Sequence, residues 1–417
     1  MSQSDHRYIR RDWMRGVQRG RVSRRLAVGL MVGLIAAAVA GSGSSTATAS
    51  SAATYKIGVD AGLTGYLAPF DPTATNALKM AAQQVNAQGG IGGKYKITVE
   101  VKNSNSDIGQ TVEVAKQLIA SGVDFLATPC DIDPAIAAGK VAQVAHIPNV
   151  SLCSTGTQIP RAAGNYAFSA FPSEIAEGTA QADYVWNEMK LRTAYTLIST
   201  GTLWTRTLPV VFKDRYQALG GRVVGTGYWD FGQTNFSALI SQIVAAHPAV
   251  IETNMYEPEF PAFIRQLRSS GVTIPIMESN SVDTPTVLAL GSPVQGLIFT
   301  TPVYAAPHSK LGQFYSLYQK KYHQPANVGT SFGYDMIKSI IVPAVEAAGT
   351  TNPVAVRNAI ANLADVPTVT GGTLTFRNQG NVAKLNMYIV RVENGAVHLV
   401  KQVAPINNPR TPPPGDV

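Results

Sequence analysis

The stretch Tyr55-Lys56-Ile57-Gly58-Val59-Asp60, followed by Gly62-Leu63-Thr64-Gly65, a helical run Thr75–Ala87 and then Gln88-Gly89-Gly90-Ile91-Gly92-Gly93 before Lys96–Val101, decides the fold. Its first six residues form a short apolar run that reads as a buried strand. The strand end turns through glycines, the helix is stopped by glycines, and a second strand opens at once, which is the grammar of a βαβ unit. The same alternation continues downstream. Strands are expected at Asp124–Thr128, Pro148–Ser151, Thr193–Ser199, Val223–Tyr228, Val250–Thr253 and Gly296–Thr300. Helices are expected between them at Gln110–Ala120, Pro134–Ala145, Ile175–Met189, Leu208–Leu219, Phe236–Ala246 and Pro258–Ser269. Strands alternating with amphipathic helices imply an α/β class with mainly parallel sheets.

Beyond Pro302 the pattern turns helical at Ser309–Tyr322, Ser331–Ala348 and Pro353–Asn362. A hairpin is then expected, with Thr373–Phe376 and Leu385–Val392 joined across Asn378-Gln379-Gly380-Asn381, followed by a strand at Ala396–Val400 and a Pro-rich tail. At 417 residues the chain suits two lobes, each large enough to bury a core, and 45% hydrophobic with 14% charged residues describes a globular protein.

The net charge of +8 does not mark a nucleic-acid-binding face. Residues 1–25 carry eight Arg against Asp5 and Asp12, so most of the excess sits there and the rest is nearly neutral. An apolar run from Leu26 to Ala40 follows, then Gly41-Ser42-Gly43 and a small-residue tract containing Ala47-Thr48-Ala49. That order reads as a cleavable signal peptide with its small-residue tract over residues 1–53, because the run is short of the roughly 20 residues that a membrane span needs. Ser23-Arg24-Arg25 carries only a fragment of a twin-arginine signal, and no cysteine is available there for a lipid anchor. Export is therefore expected, to the periplasm or the cell exterior. The two cysteines, Cys130 and Cys153, end neighbouring predicted strands, where either a disulfide or two buried thiols fits.

Catalytic and cofactor motifs are weak. Gly329-Thr330-Ser331-Phe332-Gly333 satisfies G-x-S-x-G, yet the preceding Lys320–Val328 is polar and broken by Pro325, whereas a nucleophile elbow follows a buried strand. The six His are scattered without metal-ligand spacing, and Gly92-Gly93-Lys94 is followed by Tyr95 where a phosphate loop wants Ser or Thr. No metal or nucleotide cofactor and no enzymatic activity are expected.

Several segments carry a resemblance. Lys56-Ile57-Gly58-Val59 with Gly62-Leu63-Thr64-Gly65, and Asn86 to Lys94, resemble the opening of leucine/isoleucine/valine-binding proteins. Ile147 to Thr155 resembles that family's "IPVISPSAT" stretch, Asn235 to Ile240 its "DFSALI" helix start, and Tyr256-Glu257-Pro258-Glu259 with Arg265 to Gly271 its "YYPE…RQARSVG" segment. The resemblance covers nearly the whole chain after the export signal. It implies a periplasmic binding protein of type I, with two Rossmann-like lobes, three crossings between them and a solute cleft, delivering its ligand as a monomer to the permease and ATPase of an ABC importer. The crossings are expected near Phe171, Pro302 and Asp365, giving one lobe of residues 54–171 and 302–365, another of 172–301 and 366–404, and a tail of 405–417. A ligand-sensing receptor domain is the alternative within this fold. A secreted hydrolase is the weaker one.

The resemblance also implies the cleft residues. Ser154 and Thr155 fall in the loop that grips a ligand carboxylate, although Thr155 can equally cap the next turn. Phe70, Trp204 and Tyr256 fall where the family places rings around its ligand, or are ordinary core. Asp131 stands where the family usually has a serine. In the cleft it would repel a carboxylate and favour an ammonium or hydroxyl, and Asp133 beside it reads as the N-cap of a helix starting at Pro134. Asn280 replaces the family's ammonium-binding acid, with Glu278 close by and Glu257 in the preceding loop, so amino-acid specificity is not carried over.

Overall fold

The computed structural model describes residues 53–407 apart from Thr155 and Pro258. The expected export signal, up to residue 52, Thr155 and the last residues of the Pro-rich tail lie outside the described residues.

The first lobe is built on five parallel strands, β1 (Ala53–Ala61), β2 (Tyr95–Asn103), β3 (Phe125–Thr128), β4 (Asn149–Ser151) and β5 (Ala167–Ser169). They lie in the order β2-β1-β3-β4-β5. Tyr55, Ile57, Val59 and Ala61 on β1 are fully buried, as expected of a strand covered by helices on both faces. The helix Asp71–Ala87 ends where the glycines require it. Gly89 and Gly90 have φ of 107° and 92°, a backbone shape that a side chain disfavours.

The second lobe carries β6 (Thr193–Ile198), β7 (Arg222–Tyr228), β8 (Val250–Glu252), β9 (Ile276–Glu278) and β10 (Ile298–Thr301), and the chain later adds strands to it. A two-residue pair, β11 (Val366–Pro367) with β12 (Thr373–Leu374), precedes β13 (Met387–Glu393) and β14 (Ala396–Val403). The second sheet runs β14-β13-β10-β9-β8-β6-β7, with β13 antiparallel to both β10 and β14. Three short strands escape the sequence reading, β5, β9 and the two-residue β11. None has more than three residues, too few to establish a period.

The expected hairpin is not formed as such: Thr375 and Lys384 make a single antiparallel bridge, and β13 turns instead into β14 through Asn394-Gly395, both with positive φ. The chain also crosses to the second sheet later than Asp365. Leu374, Phe376, Ala383 and Leu385 all bury into the first lobe's core, and only β13 belongs to the second sheet. The apolar side chains of this segment fill the first lobe beside Phe168, against which Phe376 packs edge-on at 5.3 Å.

The G-x-S-x-G segment lies inside the helix Val328–Asp335, capped by Asn327, whose side chain accepts the Thr330 N–H. Gly333 sits where a Cβ would collide with the backbone of Ala74, so this glycine serves the packing of that helix against Asp71–Ala87. No strand leads into Ser331, and a nucleophile elbow is excluded.

Candidate functional site

Loops at the C-terminal ends of β1, β3 and β4 face loops at the ends of β6, β8 and β9, the place where open parallel sheets bind ligands. Between them lies a cavity, partly open to solvent, with about 360 Å³ of space not filled by atoms counting that open part. Phe70, Asp131, Ser154, Trp204, Tyr256 and Asn280 line it together with Cys130, Cys153, Ser281 and Val328. Six of the seven ligand-binding positions expected from the sequence therefore share one cavity, and Thr155 is outside the described residues.

The first-lobe wall is cross-linked. Thr128 pairs with Ser151, which brings Cys130 and Cys153 together, and they form a disulfide with Cα atoms 4.6 Å apart. Asp71, fully buried, ties the same loops to the first: its carboxylate accepts the N–H of Gly62 at 2.6 Å and of Cys130 at 3.0 Å. Burial pushes this carboxyl well above the usual range. Ser154 donates its N–H to the Ser151 hydroxyl at 2.6 Å, and its carbonyl accepts the Ser169 hydroxyl at 2.8 Å.

Asp131 keeps the cavity position expected of it and also takes the cap expected of Asp133. The helix starts at Ile132, and Asp131 is its N-cap, accepting the Ile132 N–H at 2.6 Å and the Tyr66 hydroxyl at 3.0 Å. Asp133 lies in the first turn and reaches the other lobe, where it accepts the Leu203 N–H at 2.6 Å. A carboxylate is favourable at a helix N-terminus, so this contact helps hold the lobes together. The Asp131 carboxyl is pushed up to about 7, first by burial and then by the charge of Asp133.

The second-lobe wall rests on buried acids. Trp204 sits in the first turn of the helix Leu203–Ala218, not in the loop before it. The Thr202–Thr205 capping box starts that helix ahead of the expected Leu208, and Pro209 is accommodated within it. The Asn254 amide donates to the Trp204 carbonyl at 2.8 Å. Glu278 accepts the N–H groups of Met255, at 2.8 Å, and of Ser279. Asn280 is bonded to a buried acid from another element. Its amide donates to Glu177 at 3.1 and 3.2 Å, and its N–H does so at 3.3 Å. Burial pushes Glu177 up to about 7 and Glu278 well above the usual range. Glu257 bonds the Thr284 hydroxyl at 2.5 Å and lines a separate groove with Tyr66.

Rings from both lobes close over the site. Tyr66 and Phe70 lie 6.2 and 6.4 Å from Tyr256, and Phe231 stacks on Tyr256 at 5.8 Å. Tyr66, Phe231, Glu177 and Ser281 carried no mark in the sequence. Glu177 in particular meets Asn280 across more than a hundred residues of chain, a distance no local pattern spans. Among the described residues no group of three or more His, Cys, Asp or Glu could hold a metal, and no helix is long and apolar enough to cross a membrane.

A sequence profile for a family described as periplasmic binding protein matches residues 54–396. A Leu/Ile/Val-binding protein homologue from Brucella melitensis is 24% identical over 343 residues, covering 82% of this chain and 92% of its own length. A leucine-binding protein from Thermotoga maritima superposes with a TM-score of 0.77 at 20% identity, covering 84% of this chain and 99% of its own. A solute-binding protein of an ABC transporter from R. palustris, solved with benzoate, also superposes with a TM-score of 0.77 at 20% identity, over 86% and 98% of the two chains.

Proposed function

Because this chain belongs to the periplasmic binding protein family, we propose that its interlobe cavity captures a small solute outside the cytoplasm and that the loaded protein hands it to the permease and ATPase of an ABC importer. The observation that carries this reading is the cavity itself, whose walls come from strand ends of both sheets and which therefore exists only when the lobes meet. Relatives named for leucine, isoleucine and valine, and a fold neighbour holding benzoate, support a solute of that size.

In this reading Phe70, Trp204 and Tyr256 clasp the body of the solute, while Asp131, Ser154, Thr155 and Asn280 meet its polar end. The protein binds without turnover and acts as a monomer. Residues 1–53 direct its export and are removed, the two lobes hinge about the three chain crossings, and closure is the state a permease recognises.

The test is a thermal-shift screen of the purified mature protein against amino acids, amides, polyamines, short organic acids and aromatic acids. A solute that binds only the folded state raises the melting temperature. Trp204→Ala is expected to abolish that rise. A normal rise in this variant removes the cavity from consideration, and consumption of the bound solute removes the non-catalytic reading.

A further inference from the structure

The donors and acceptors around the cavity are not balanced. A ligand carboxylate in such a cleft needs N–H or O–H donors that are still available, or a cationic side chain. No Lys, Arg or His is among the lining residues. The N–H groups of Cys130, Ser154, Asn280 and Ser281, four of those residues, already donate within the chain, to Asp71, Ser151, Glu177 and Ser279 respectively. The Asn280 amide hydrogens go to Glu177, and the Ser281 hydroxyl donates to the Met255 carbonyl at 3.0 Å.

What faces the cavity instead is negative or electron-rich. Asp131 brings a carboxyl that is 1% exposed; it accepts the Ile132 N–H and the Tyr66 hydroxyl and is also bonded by the Tyr256 hydroxyl, which still leaves a lone pair over, since a carboxylate accepts about four hydrogen bonds. Around it stand Phe70, Trp204 and Tyr256, three rings whose faces attract cations, most strongly where water is excluded. A buried carboxyl among aromatic rings, with the neighbouring backbone N–H groups of Cys130, Ser154, Asn280 and Ser281 already engaged and no cationic side chain in the lining, complements a positive charge on an apolar body. An anion placed there would face Asp131 and find few partners.

We propose that the solute is an organic cation, an amine or ammonium compound with a small apolar or aromatic body and no carboxylate, held by Asp131 and the three rings. This rests on the cavity being the solute site. It separates this chain from relatives named for amino acids and from the fold neighbour that holds benzoate.

The experiment uses matched probes on the purified mature protein, read by calorimetry and thermal shift. Benzylamine is set against benzoate, and leucinamide against leucine and isocaproate. The amines are expected to bind, with the carboxylates weaker by about tenfold or more, the size of effect that an unmet buried charge produces. Asp131→Asn keeps a good helix cap, so the lobe folds, and is expected to weaken benzylamine by about tenfold while leaving the unliganded protein intact. Binding of the carboxylates alone, or unchanged benzylamine affinity in Asp131→Asn, overturns the inference and leaves the solute-site reading standing. A protein that responds to none of these probes, and to nothing in the wider screen, loses both.

Discussion

The two walls of the cavity occupy equivalent places at the ends of parallel strands and are held by different means. The first-lobe wall is fastened covalently, with Cys130 and Cys153 joining two neighbouring loops and Asp71 tying in a third. In the second lobe the wall has no such bond and stands on buried carboxyls, Glu278 under Met255 and Ser279 and Glu177 under Asn280. A covalent tie is indifferent to charge, whereas a buried carboxyl holds its partners differently in its two protonation states. Both walls use buried carboxyls, Asp71 and Asp131 in the first and Glu177 and Glu278 in the second, and only the first has a covalent bond beside them.

The largest expected effect comes from pH. Asp60, Asp131, Glu177, Asp283 and Asp335 are all pushed up to about 7, chiefly by burial. Their folded-state values exceed those of the unfolded chain, so the folded state holds protons that the unfolded state releases. The stability this confers is full below the ordinary carboxylate range, around pH 4, and is lost as pH rises through about 7. Melting temperature should therefore fall between pH 5 and pH 8, and hydrogen exchange across that range should rise at residues 279–281 more than at 130–131. A flat profile would break the contrast between the walls.

Next in size is the disulfide. It closes a loop with a sequence separation of 23 residues, worth about 3 kcal/mol in the chain-entropy account. Reduction, or Cys130→Ala with Cys153→Ala, should lower stability by roughly that amount and speed exchange in the first-lobe loops while the second-lobe loops keep their protection. Equal loosening of both walls would show that they are not independently held.

Glu252 sharpens the comparison from the other side. It is fully buried on β8, neither oxygen has a hydrogen-bond partner, and its carboxyl lies well above the usual range. It also raises the neighbouring Glu278. Glu252→Met, similar in volume, should stabilise the protein by about 1 to 2 kcal/mol at pH 8, with a smaller gain at pH 5, in denaturant titrations. The smallest effect belongs to the surface. Arg215 and Asp183 pair at 2.7 Å but are partly exposed, and Arg215→Ala should change stability by less than about 1 kcal/mol.

The α/β class was legible because the apolar runs and glycine stops around β1 and the helix Asp71–Ala87 are local signals, each spelled within a few residues. The cavity positions Phe70, Asp131, Ser154, Trp204, Tyr256 and Asn280 were legible only through family resemblance. Nothing in the periodicity separates a ring that faces a solute from one that faces the core, and both Trp204 and Tyr256 are as buried as core residues. That Asp131 and not Asp133 caps the helix was hidden for a related reason. Both are good caps by chemistry, and the one that caps is settled by where the helix begins against the other lobe.

By itself, then, the amino-acid order determined the repeating strand and helix units and their parallel arrangement, since these follow from hydrophobic period and glycine conformation. Only the tertiary structure decided that residues 366–385 fill the first lobe, that Glu177 lies behind Asn280, and that four backbone N–H groups around the cavity already donate within the chain. Those are pairings between groups far apart along the chain, and hydrogen bonding and burial select them only after the lobes have packed.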